Sequence, residues 1–499
     1  MRQRPMLKFL VLALVAAVPL APARADEESS STSRPNIILM MADDQGWNGT
    51  SVAMHPSQSF SKSSQVKTPH LETLASQGMR FSQAYAPAPV CAPTRIALQT
   101  GRSAAALHWT KVGHSQAASA GYKLVGPKQK RALDTKETTI GETLKKAGYT
   151  TAHFGKWHIQ GGGPEANGYD AGDGNLGNEH AAKFKDPNPV DIFGMTDRAA
   201  AFMKKAKDAK KPFFVQLSWH ALHSPDNALE ATKAEVAKRV GGSATDRRVQ
   251  RTALAQDLDT GVGRILKALD ELGLSKSTYV IYTSDNGAGG GGGGRGRGRR
   301  RGDSEGGLGG GKGSLGEGGI RVPFVIRGPG IAADSWNHTP ITLLDLYPTF
   351  SHWAGARTLP KTIEGGNIAP LLAGVKDARV NRPRPGLAFH FPHYQNAATP
   401  QSTIRLGALK LVRTYEDGKE ALYDLDADPK ESTDLASKRP EDVKALSAML
   451  EDWLKAVDAQ MPTKNAEYDP DNPPEPNQRR GRRGKGEGKG GRKGRRQDR

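Results

Sequence analysis

From residue 36 to residue 284, short apolar runs rich in strand-forming residues alternate with segments of helical periodicity, and this alternation constrains the fold more than any other feature. Asn36–Ala42 (NIILMMA) is almost uninterrupted in its apolar character, which suits a strand covered on both faces. His70–Met79 has helical spacing, and Thr139–Ala147 reads as a helix leading into a short strand, Tyr149–Phe154. Asp197–Ala209 is helical and feeds the strand Phe213–Trp219, and Leu254–Leu272 is helical and feeds Tyr279–Ser284. The alternation predicts an α/β fold with a mostly parallel central sheet flanked by helices. After about residue 375 the texture changes. Arg405–Arg413 and Glu420–Leu425 read as antiparallel strands and Glu441–Val457 as a closing helix. A chain of 499 residues exceeds what one core usually serves, so the expectation is a large domain over 34–375 and a small C-terminal α+β subdomain over 376–460.

Neither end of the chain belongs to that fold. Arg2, Arg4 and Lys8 precede an apolar run from Phe9 to Leu20, and Ala23-Arg24-Ala25 offers small residues before a cut. Residues 1–25 therefore read as a secretory signal, and the mature protein as periplasmic or secreted. No other run is long and apolar enough to span a bilayer. The formal charge of +19 is concentrated outside the folded body: Asn477–Arg499 holds eleven lysines and arginines against two acids, and Arg295–Arg301 adds five arginines. The remaining body is close to neutral, which argues against nucleic acid as a partner. The Gly/Arg-rich stretch Gly287–Gly311 reads as a flexible insert within the large domain, and 463–499 as a disordered basic tail. One cysteine, Cys91, excludes an internal disulfide framework.

The polar residues of interest stand just past the carboxyl ends of the expected strands. Asp43 and Asp44 follow the first, Lys156 and His158 the next, His220 and His223 the third, and Asp285 and Asn286 the last. Open parallel sheets bind ligands at that edge, so four strands delivering such groups point to one site. The segment Cys91-Ala92-Pro93-Thr94-Arg95, continuing to Thr100-Gly101-Arg102, adds a helix start. Pro93 suits a first helical turn, which places Cys91 at or beside the N-cap, where free N–H groups favour a developing anion. Arg95 lies four residues on, along the same helical face. The acids nearby suit a hard, oxygen-bound cation, and with it an oxygen nucleophile rather than a soft thiolate.

These residues resemble the type I sulfatase signature, C-x-P-[ST]-R-x-x-x-x-T-G-R. The resemblance continues through Asn36–Gln45, Thr68–Tyr85, Gly155-Lys156-Trp157-His158, Ser284-Asp285-Asn286-Gly287, Lys312–Gly330 and Leu422-Tyr423-Asp424-Leu425 with Asp428-Pro429. It implies an alkaline-phosphatase-like fold and hydrolysis of sulfate monoesters, the substrate being a sulfated small molecule or glycan. It implies Ca²⁺ held by Asp43, Asp44, Asp285, Asn286 and the modified residue at 91. A maturation enzyme would oxidise Cys91 to formylglycine, whose hydrate attacks sulfur and then expels sulfate. Arg95 and Lys156 would hold that hydrate, and His158 would be the base. His223 and Lys312 would bind sulfate, one of them protonating the leaving oxygen. Leu222 stands where the family often has proline, Gln160 where it often has glycine, and the insert lengthens the connection from Asn286 to Lys312. The same residues leave two other functions open. One is a phosphate or phosphonate monoester hydrolase of the same superfamily. The other is a catalytically silent polyanion-binding protein.

Overall fold

Alternate residues of Asn36–Ala42 enter different cores. Ile38, Met40 and Ala42 belong to one buried cluster, and Ile37, Leu39 and Met41 to another. Side chains alternate across a strand, so this strand has an apolar layer on each side and must lie inside its sheet. The structure, a computed structural model, describes residues 34–113, 119–289, 307–395 and 398–472. The secretory signal, Arg295–Arg301 and the tail beyond residue 472 lie outside the described residues.

Among the described residues the central sheet has eight strands, in the order Ser335–Asn337, Met79–Phe81, Phe324–Arg327, Thr278–Ser284, Asn36–Ala42, Phe213–Ser218, Thr150–Gly155, Ala171–Gly172. Asn36–Ala42 pairs in parallel with Phe213–Ser218 and Thr278–Ser284, and the parallel pairing runs on through Thr150–Gly155 to the edge. Phe324–Arg327 alone runs against its neighbours. One face is covered by the helices Pro69–Ser76, Ile192–Asp208 and Arg247–Glu271, and the other by Cys91–Thr100, Ile140–Lys146 and Leu346–Trp353. The expected mostly parallel sheet between helical layers is therefore present. The helix at 140 starts where Thr139 and Glu142 cap each other reciprocally.

The C-terminal subdomain is an antiparallel sheet in the order Leu387–Phe391, Gln401–Leu406, Leu409–Thr414, Glu420–Asp424. The helix Pro440–Ala456 lays Leu446, Leu450, Trp453 and Leu454 against Ile404, Leu411 and Leu422. Two expectations need correction here. Arg405–Arg413 is not one strand: Gly407 takes φ 59°, and the chain reverses so that Arg405 faces Lys410 across a hairpin. Disorder does not begin at residue 463 either, because Thr463–Lys464 pairs with Leu124–Val125 and the Asn465 amide bonds the carbonyls of Ser119 and Tyr122. Composition cannot see an ordering contact made more than 300 residues away along the chain.

Candidate active site

Parallel register brings the carboxyl ends of four strands level. Ala42 sits opposite Ser284, Met41 opposite Ser218, and Gly155 opposite Ser218. The next residues in each chain segment are therefore neighbours: Asp43 and Asp44, Asp285 and Asn286, Lys156, and beyond Trp219 the buried His220. Backbone bonds Asp43 N to Ala221 O (2.7 Å) and Leu222 N to Asp43 O (2.5 Å) prolong this pairing past the strands. Cys91 is the first residue of its helix, next to an extended Val90 that offers no side-chain cap, and Gly101 ends the helix with φ 68°. The site thus receives a helix start whose N–H groups lack a side-chain acceptor.

Asp43, Cys91 and Asp285 are all buried, and one potential ligand atom from each lies within 4.8 Å of the others. Arg95 donates to Asp285 from Nε (3.0 Å) and Nη2 (2.8 Å), and to the Lys156 carbonyl from Nη1 (2.6 Å). Lys156 pairs with Asp43. Lys312 Nζ lies 2.6 Å from Asp44 Oδ1 and 3.5 Å from Cys91 Sγ, while Asn286 Nδ2 donates to Asp44 Oδ1 at 2.7 Å. Burial raises the Asp43 carboxyl, but Lys156, Arg95, His223 and Lys312 outweigh it and hold the group well below the carboxylate range. Asp285 goes the other way, pushed to about 6 by burial and by the charge of Asp43. Burial also pushes the Cys91 thiol up, against the pull of Lys156 and Lys312. His158 is lowered to about 3 by burial and then by Lys156, and so is neutral at ordinary pH.

Two buried acceptors in this cluster, Asp43 Oδ1 and Asn286 Oδ1, have no hydrogen-bond partner. Orphaned acceptor oxygens next to two further carboxylates fit a hard cation with oxygen ligands. The expected residues are thus largely together, with His158 and His223 at the margin. His158 Nδ1 has no hydrogen-bond partner. His223 is half-buried, with Nδ1 2.9 Å from the Ser224 carbonyl, yet near enough for its charge to act on Asp43. His220 is buried, and burial followed by the charge of Lys156 lowers its ring to about 3 against the pull of Asp43. Sequence reasoning missed Gly289 and Ser284. A Cβ at Gly289 would meet Asp44 Oδ2 at 2.3 Å, so only glycine permits this approach. Ser284 Oγ accepts from Gln45 N (3.0 Å) and donates to Asn286 O (3.0 Å), tying the two acidic strand ends together. The signal for Ser284 was available, since it ends the strand and directly precedes Asp285.

Comparison with known proteins gives the site its context. The family model described as sulfatase matches residues 35–356, well over half of the chain. The model for the C-terminal part of N-sulphoglucosamine sulphohydrolase matches residues 312–460. Human arylsulfatase A is 29% identical, over 85% of this chain and 80% of its own length. Rat N-acetylgalactosamine-6-sulfatase is 29% identical, over 73% of this chain and 69% of its own. The crystal structure of Ps i-CgsB in complex with k-i-k-neocarrahexaose superimposes with a TM-score of 0.67 at 24% identity, covering 84% of this chain and 93% of that one. The fold is the alkaline-phosphatase-like fold of the sulfatases. The chain therefore belongs to the sulfatase family and is a sulfuric ester hydrolase.

Proposed function

We propose that this sulfatase hydrolyses sulfate monoesters of a sulfated carbohydrate, using a formylglycine made from Cys91 and one bound Ca²⁺. The observation that carries the reading is the meeting of Cys91, at a helix N-terminus, with Asp43 and Asp285 and the unpartnered oxygens of Asp43 and Asn286. Asp43, Asp44, Asp285 and Asn286 would hold calcium, with residue 91 completing the set. When bound, calcium would supply fixed positive charge against the oxyanions of the reaction. Oxidised to formylglycine and hydrated, residue 91 would supply the oxygen nucleophile that displaces the alcohol from sulfur.

The remaining steps belong to side chains already placed. Arg95, paired with Asp285, and Lys156, paired with Asp43, would hold the hydrate at residue 91. Lys312, 3.5 Å from Cys91 Sγ, faces the place where the ester sulfate must sit for attack from residue 91. Lys312 or His223 would give a proton to the leaving oxygen, and His158 would take the proton released as sulfate departs. Support for a carbohydrate substrate comes from the relatives, one acting on N-acetylgalactosamine and one bound to an oligosaccharide. Export is part of the same proposal, through residues 1–25, and among the described residues no helix is long and apolar enough to cross a membrane.

The test is protein co-expressed with a formylglycine-generating enzyme and assayed on an aryl sulfate, an aryl phosphate and a panel of sulfated saccharides. Sulfate release with aldehyde in the peptide containing Cys91, and near-complete loss in a folded Cys91→Ala variant, is the expected result. Full activity with an unmodified thiol, or faster turnover of the phosphate, rejects the reading.

A further inference from the structure

Lys312 stands in a turn with little regular structure, between the strand Thr278–Ser284 and the short helix Glu317–Ile320. Its backbone is hung from the active-site loops: Lys312 N donates to Ala288 O (3.1 Å), and Gly313 N to Pro89 O (2.9 Å), two residues before Cys91. The far side of the turn is fixed from the C-terminal sheet. Lys410, on the strand Leu409–Thr414, has a side chain 1% exposed and donates to the Leu315 carbonyl at 2.8 Å. The same ammonium pairs with Glu317 Oε1 and Glu431 Oε1, each at 2.8 Å. Glu431 Oε2 accepts from Glu317 N at 2.8 Å, and Glu317 Oε2 takes the Tyr85 hydroxyl (2.7 Å) and Arg321 Nε (2.8 Å).

Buried ion pairs of this kind add little net stability over apolar replacements, so stability alone does not explain an ammonium at this depth. What a connected buried network supplies is a fixed arrangement. Here the fixed atoms are the carbonyl three residues after Lys312 and the start of the helix that follows. Within this helix the Gly319 carbonyl accepts from Gly287 N at 2.9 Å, which returns the constraint to the Asp285–Asn286 strand end.

We infer that Lys410 is a positioning residue for Lys312, holding the 312–317 turn so that the Lys312 ammonium meets the sulfate and the leaving oxygen. The inference rests on the proposed role of Lys312. The C-terminal subdomain thereby contributes to turnover without touching substrate.

The test compares 4-nitrophenyl sulfate, whose leaving group needs no proton, with phenyl sulfate, whose leaving group benefits from one. Lys312→Ala, Lys410→Met and the double variant are assayed as the matured, calcium-loaded enzyme. The expected result is that Lys410→Met lowers kcat on phenyl sulfate by about tenfold or more, part of the range for general acid catalysis. Its kcat on 4-nitrophenyl sulfate falls far less, and adding it to Lys312→Ala costs nothing further. Equal losses on both esters, or losses that simply add to those of Lys312→Ala, overturn the positioning role while leaving Lys312 in place. A Lys312→Ala enzyme with normal kcat on both esters overturns the reading of Lys312 itself, and the positioning role with it. Should Lys410→Met fail to fold, Glu431→Gln, which keeps shape and removes the charge, carries the same comparison with a smaller effect of the same pattern.

Discussion

Asp285 has two duties. Its carboxylate holds Arg95 at 2.8 Å, and it contributes to the three-residue group whose ligand atoms lie within 4.8 Å of each other. Asp285→Ala should remove both functions together. Calcium content measured by elemental analysis should fall from about one per chain to near zero, as expected when a carboxylate ligand of a hard cation is deleted. Arg95, with a side chain only 2% exposed, would keep its charge without its main partner. Breaking a buried pair from one side costs about 3–5 kcal/mol, so chemical denaturation in chelator should show a loss of that order. Gly289→Ala separates the two effects. Its methyl would lie 2.3 Å from Asp44 Oδ2, so calcium affinity should fall about tenfold or more, a loss of the size seen when the residues supporting a ligand are disturbed. The clash is with Asp44 rather than with the apolar core or the Arg95 pair, so the loss of stability in chelator should be smaller than that of Asp285→Ala.

Among elements, the short helix Pro69–Ser76 owes its anchoring to a residue far away in sequence. Its first turn donates from His70 N (3.0 Å) and Leu71 N (2.8 Å) to Asp259, which lies buried in the middle of the long helix Arg247–Glu271. Asp259→Ala leaves two helix-start N–H groups without acceptors and should cost about 1–3 kcal/mol in chemical denaturation, with kcat unchanged. A cost below about half a kcal/mol would mean water replaces the carboxylate. This contact also shows where reading a sequence stops. Inner strands and long helices were legible because a run like NIILMMA or a 3.6-residue period reports burial directly. The strands Ala171–Gly172, Ser335–Asn337 and Leu387–Phe391 were not, since pairing with a partner strand rather than a pattern of their own decides them. The site was legible for a different reason: strand ends and a helix start fix where Asp43, Cys91, Lys156 and Asp285 can go. Asp259, Gly289 and the Lys410 network were not, because each matters only through what the fold brings against it.

At the scale of the whole molecule, three buried histidines with no part in the proposed chemistry should make the fold sensitive to acid. Burial lowers His390 from the ordinary 6.5 to about 4, and His153 and His393 to about 3. His390 joins the C-terminal sheet to the segment after the closing helix: Nε2 lies 3.0 Å from the Gln460 carbonyl, which can only accept, so Nδ1 takes the Ser402 hydroxyl at 2.6 Å. That assignment makes the neutral ring the one the fold is built around. The folded value is lower than the unfolded one, so the stability is complete above pH 6.5 and is lost as pH falls toward the folded value. Between those limits the unfolded chain binds a proton that the folded chain refuses. For His390 the shift corresponds to roughly 3 kcal/mol at most, at 1.36 kcal/mol per unit. His390→Gln keeps a donor for Gln460 and an acceptor for Ser402 but cannot titrate. Chemical denaturation of both proteins at pH 7 and pH 4 should therefore show a smaller acid loss in the variant, by about 2–3 kcal/mol, while the other buried groups, His153, His158 and His393 among them, sustain the rest of the slope. An identical loss in the two proteins would mean that the His390 ring is protonated in the fold at pH 4 without penalty, and the acid sensitivity would then have to come from other buried groups such as His153, His158 and His393.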